Sequence, residues 1–87
     1  MVSLAEGPKH GYALMKDIKE STGVRLGAGT IYGCIAGLEA DGMIVALPAE
    51  SRRQPYELTS KGKHELEEHL TASARMAKLG LSRLSTL

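Results

Sequence analysis

Eighty-seven residues with a formal net charge of +1 and a single cysteine describe one small domain without an internal disulfide, and without the basic excess that announces nucleic acid by charge alone. No apolar run reaches the roughly 18 residues of a membrane span, and the opening Met1-Val2-Ser3-Leu4 lacks the basic flank and long apolar core of a signal peptide, so a reducing, cytoplasmic setting is expected. A domain of this size buries only about 60% of the surface of its unfolded chain, which makes association with a second copy an expected source of stability.

The chain falls into segments with distinct periods. Val2 to Glu6 reads as the tail of a helix, ended by Gly7-Pro8. From Gly11 to Thr22, Leu14, Met15 and Ile18 form an apolar stripe opposite Lys16, Lys19 and Glu20, and Gly23 supplies a left-handed stop. A second helix is expected from Gly29-Thr30 to Asp41, with Ile31, Ile35 and Leu38 facing the core, Cys34 beside them as a small buried hydrophobe, and Gly42 as its stop. Met43 to Leu47 and Pro55 to Leu58 read as two strands of a hairpin around the polar loop Pro48 to Gln54, which carries Arg52 and Arg53. Thr59 caps a third helix over residues 60 to 85, along which Leu66, Leu70, Ala74, Ala77, Leu81 and Leu84 form one continuous stripe. A stripe of that length exceeds what the preceding segment can cover, so part of it should meet a partner.

Several chemistries are excluded. Gly29, Gly33 and Gly37 repeat the spacing that lets membrane helices touch, but the segment is short and closed by Glu39 and Asp41. Gly27-Ala28-Gly29 lacks the preceding strand and the third glycine of a dinucleotide loop. His64 and His69 do not share a helix face, and with one cysteine elsewhere no metal site is expected. No nucleophile, base and orienting group occur together, so the chain reads as no enzyme and needs no cofactor.

Helix, helix, hairpin, long helix is the order of a winged helix-turn-helix, an α+β and mostly helical fold in which the second helix of the pair enters the major groove and the hairpin reaches the backbone or an adjacent groove. The residues carry this further. Gly7-Pro8-x-His10-Gly11-Tyr12 is followed by Gly29-Thr30-Ile31-Tyr32-x-x-Ile35-x-x-Leu38-Glu39-x-x-Gly42-Met43-Ile44. Arg52-Arg53-x-x-Tyr56-x-Leu58-Thr59-x-x-Gly62-x-x-x-Leu66 comes next. In this order and spacing the sequence resembles the PadR family of bacterial transcriptional regulators. The resemblance implies a cytoplasmic, homodimeric repressor of double-stranded DNA, with residues 1–59 as the DNA-binding head and residues 60–87 as a C-terminal dimerisation helix. The helix that precedes Gly-Pro in family members is mostly missing here: either the chain is a truncated form or its dimer relies on the C-terminal helix. The dimer residues are then Leu66, Leu70, Ala77, Leu81 and Leu84.

For the DNA face, Tyr32 lies opposite the core stripe, where its hydroxyl reaches a phosphate or its ring a thymine methyl. Gly33 and Gly37 on the same side let the helix approach the groove closely. Thr30 is a phosphate ligand or a cap, and Arg52 and Arg53 are expected to touch the sugar–phosphate backbone or minor groove, unless they form only a solvated charged turn. Lys9 and His10 add a backbone contact, unless His10 serves only as a cap. Tyr12 and Tyr56 are expected to be core or near-core residues that tie the wing to the helices. Without Phe or Trp to stack a flat ligand, no aromatic inducer is expected. The alternative is a winged-helix interaction module that dimerises and binds protein or a small ligand rather than DNA.

Overall fold

The computed structural model describes residues 1–86. A 3₁₀ turn over Val2–Glu6 leads into strand β1 (Lys9–His10), helix α1 (Gly11–Thr22), helix α2 (Ala28–Ala40), strands β2 (Ile44–Ala46) and β3 (Pro55–Leu58), and the long helix α3 (Ser60–Leu84). The strands form one antiparallel sheet in the order β1-β3-β2, with Ile44 opposite Leu58, Ala46 opposite Tyr56 and His10 opposite Pro55. This is an α+β, mostly helical winged helix-turn-helix. Among the described residues, no helix is long and apolar enough to cross a membrane.

Each helix ends where the local chemistry says it should. α1 stops at Gly23, whose φ of 76° lies in the region that other residues enter at a cost. At the end of α2, Gly42 takes φ 74° and donates its N–H to the Glu39 carbonyl at 3.0 Å, while the Met43 N–H reaches back to Leu38 at 2.9 Å. That crossed pair satisfies the last carbonyls, and Leu38 and Met43 both lean on the core.

α3 is fastened to the same turn. The Thr59 hydroxyl accepts the Gly62 N–H at 3.0 Å and donates to the Gly42 carbonyl at 2.6 Å; the Thr59 N–H donates to the Met43 carbonyl at 3.0 Å. Gly62 sits so close that a Cβ there would stand 2.0 Å from the Met43 carbonyl oxygen. The sheet and helices enclose Leu4, Leu14, Ile31, Ile35, Ile44, Tyr56, Leu58 and Leu66.

Several expectations need correction. Val2–Glu6 is a 3₁₀ turn, not an α-helical tail, and it contributes Leu4 to the core. The wing sheet has a third strand, β1, which carries too few residues to show a period. Cys34 is exposed: at about 100° per residue it falls roughly 60° off the centre of the Ile31–Ile35–Leu38 stripe. Tyr12 is 68% exposed, because it shares the polar face of α1 with Lys16 and Lys19. Leu66 is buried in the head, so it is taken up within the chain and the open part of the α3 stripe begins at Leu70. Beyond it Leu81 is 69% and Leu84 65% exposed.

Candidate nucleic-acid interface

The wing is a narrow ladder where the sequence suggested an open loop. The Leu47 N–H donates to the Pro55 carbonyl at 3.0 Å, extending the pairing beyond β2. Glu50 and Arg53 then bridge, exchanging N–H···O bonds of 3.0 and 2.9 Å. Ser51 turns the chain at φ 56°. Arg52 therefore stands at the tip and Arg53 at the neck, both exposed.

β1 brings the start of α1 beside this wing. Its pairing with β3 sets His10 opposite Pro55, so the imidazole lies at the wing base. His10 is the N-cap of α1: its Nδ1 accepts the Ala13 N–H at 3.3 Å. Its Nε2 lies 3.3 Å from a terminal nitrogen of Arg53. A shallow cleft of about 210 Å³ follows, lined by His10, Gly11, Tyr12, Tyr32, Arg52, Arg53 and Gln54. Of the residues predicted for the DNA face, it gathers His10, Tyr32, Arg52 and Arg53.

Tyr32 owes its position to Gly11. A Cβ on Gly11 would come within 2.9 Å of the Tyr32 hydroxyl oxygen and 3.0 Å of its ring. The obstructed atoms are the far end of a side chain, so Gly11→Ala should tilt the ring rather than break the fold. The expected cost is about 0.5–1.5 kcal/mol for an off-rotamer ring. Shifted Tyr32 ring resonances with an unchanged circular dichroism spectrum would verify this; unmoved resonances would contradict it.

The N-terminus of α2 opens without a side-chain cap. Gly27 is the N-cap residue, and the first helical bond runs from the Ile31 N–H to the Gly27 carbonyl at 3.1 Å. The N–H groups of Ala28, Gly29 and Thr30 are thus left without intrahelical partners. Thr30 is not the cap of this helix. Thr30, Gly33 and Gly37 are exposed, and a Cβ on Gly33 or Gly37 would meet nothing within 4 Å. Nothing among the described residues requires either glycine.

Lys9 is placed elsewhere. Its side chain is only 15% exposed and lies 2.5 Å from Glu6 and 3.8 Å from Asp17, while also donating to the Ser3 carbonyl. It pins the N-terminal turn to α1 and does not line the cleft. Sequence reasoning missed Tyr12 and Gln54 in the cleft. It also missed Lys16, Lys19 and Arg25, which line an adjoining groove that shares Tyr12. The i, i+4, i+7 spacing of Tyr12, Lys16 and Lys19 was the available signal. Burial, and then the nearby Glu39 and Tyr32, raise the Tyr56 phenol above its usual value.

Residues 1–68 match the PadR-like family of transcriptional regulators. Over 77 residues the chain is 39% identical to an uncharacterized 37.1 kDa protein in transposon TN4556 of Streptomyces fradiae. That match takes in 88% of this chain but only 22% of the relative, so the chain spans about a fifth of its length. The structure of a PadR family transcriptional regulator from Eggerthella lenta is similar with a TM-score of 0.76 and 26% identity, over 95% of this chain and 77% of that one. The structure of Bacillus subtilis PadR in complex with operator DNA is similar with a TM-score of 0.66 and 27% identity, over 77% of this chain and 41% of that one. The chain therefore belongs to the PadR-like family, whose members are transcriptional regulators and not enzymes.

Proposed function

We propose that this chain is a cytoplasmic, DNA-binding repressor that grips a two-fold-related operator as a homodimer. The observation that carries the reading is the cleft in which the wing arginines, His10 and Tyr32 meet beside the outer face of α2. Arg52 and Arg53 present fixed positive charge to phosphate, Tyr32 offers a hydroxyl and a ring edge, and bare Gly33 and Gly37 let α2 sit deep in the major groove. The unpaired N–H groups before Ile31, with Thr30 among them, suit a phosphate at the helix start. The operator complex of the Bacillus subtilis relative supports duplex DNA as the partner. Leu70, Ala77, Leu81 and Leu84 give α3 an apolar face suited to a second copy.

The wing supplies the test. If each arginine neutralises one phosphate in both protomers, Arg52→Ala with Arg53→Ala lowers the log–log salt slope by about 3.6, at about 0.9 per phosphate. Affinity then falls similarly for specific and random duplexes, because phosphate contacts carry no sequence information. Tyr32→Ala lowers specific binding more than random binding if the ring touches a base. A double arginine variant with the wild-type slope would place the DNA-binding surface elsewhere.

A further inference from the structure

The His10 ring faces two hydrogen-bond donors with one lone pair to give. A neutral imidazole carries a proton on one nitrogen and a lone pair on the other. Nδ1 lies 3.3 Å from the Ala13 backbone N–H and Nε2 lies 3.3 Å from Arg53. Both neighbours only donate. The two contacts therefore exclude each other. With the proton on Nε2, the ring caps α1 and turns an N–H toward the guanidinium. With the proton on Nδ1, it holds Arg53 and leaves the Ala13 N–H uncapped.

We infer that His10 is a positioning residue for the wing: in the free protein its ring exchanges between holding Arg53 and capping α1 and, when a phosphate takes the guanidinium, settles in the tautomer that closes the cap of α1. The identity of the competing acceptor rests on the DNA-binding reading; the competition itself does not. The geometry makes the coupling direct, because β1 fixes His10 to β3 and the Glu50–Arg53 bridge fixes the neck of the wing. Once Arg53 leaves, the Nε2–H faces the cleft beside Tyr32 and Arg52 and becomes a phosphate donor in its own right. One ring thus links wing engagement to the order of the first turn of α1, the helix that supports α2.

The test is the ring's own nitrogen spectrum. Two-bond proton–nitrogen correlation on the full chain, at about pH 8 where an ordinary imidazole is neutral, reports the tautomer of each histidine, and His10→Asn identifies the His10 signals. In the wild type, the two ring nitrogens should show averaged shifts between the pure tautomers. In Arg53→Ala they should move to the Nε2–H form, and the Ala13 amide should exchange more slowly with solvent. Identical ring shifts in wild type and Arg53→Ala would overturn the competition. Adding a promoter duplex to the wild type should move the ring the same way, and a duplex that binds without moving it would overturn the release. A duplex that does not bind at all removes the phosphate half of the inference together with the proposed function, while the Arg53→Ala comparison still decides the competition.

Discussion

Gly62→Ala should destabilise the head by more than about 3 kcal/mol, above the usual range for overpacking. The added methyl would stand 2.0 Å from the Met43 carbonyl oxygen and 2.9 Å from its carbon, so it meets backbone and not a side chain that can swing away. Relief requires α3 to lift from the turn after α2. Lifting breaks the Thr59 contacts to Gly42 and Met43 and draws Leu66 out of the core. Gly33→Ala and Gly37→Ala are the matched contrast. Both sit inside α2 with open space around them, so each should gain up to about 1 kcal/mol from helix propensity. Urea melts followed by circular dichroism separate the two cases. On the proposed function, the same α2 variants should also bind DNA less well, since their methyl groups stand where α2 nears the groove. Stability rising while binding falls would explain why glycine occupies positions where the fold does not need it. Unchanged binding would leave those glycines without a role.

On the proposed homodimer, Leu81→Glu should convert the dimer to a monomer. Leu81 is 69% exposed in the single chain, and Leu70 and Leu84 on the same stripe are also open to solvent. If two such faces close on each other, a glutamate there carries an unpaired charge into an apolar seam from both protomers. Burying an unpaired polar group costs about 2–7 kcal/mol, more for a charge, which outweighs a modest interface. The head should be untouched, because the last α3 residue in its buried core is Leu66, well before the substitution. Sedimentation at micromolar concentration should show half the wild-type mass with an unchanged melting profile of the head. DNA affinity should fall with it, since a monomer reaches one half-site. A Leu81→Glu protein that stays dimeric would move the interface off this helix.

The helices were legible because each repeats an apolar stripe over three or more turns, and the strands that flank the wing because their period differs from the helices around them. β1 was not legible. Its pairing to β3 is a contact between Lys9–His10 and Pro55–Tyr56, with no local signature at either end. The α3 stripe looked uniform along the sequence, yet the fold divides it: Leu66 is spent on the head and Leu70 onward is left open. Gly62 was legible as a motif residue but not in its role, which only the docking of α3 on Met43 reveals. In the candidate site, the motif brought Arg52, Arg53 and Tyr32 to notice, and the fold sets all three around one cleft. Lys9 was not, since its charge is drawn toward Glu6 and Asp17 by the path of the chain. Tyr12 was misassigned because its aromatic character was weighed above its place on a polar face.

Binding of duplex DNA through phosphate-dominated contacts is tested most directly by wild-type mobility shift on a duplex from the protein's own promoter at about 50 and about 200 mM salt. Six to ten phosphate contacts from a dimer should cost about 10³- to 10⁵-fold in affinity between those concentrations, with specific binding retained over random duplex at the lower one. Absence of any shift at about 50 mM salt would contradict such binding and favour a winged helix that dimerises to bind protein or a small ligand.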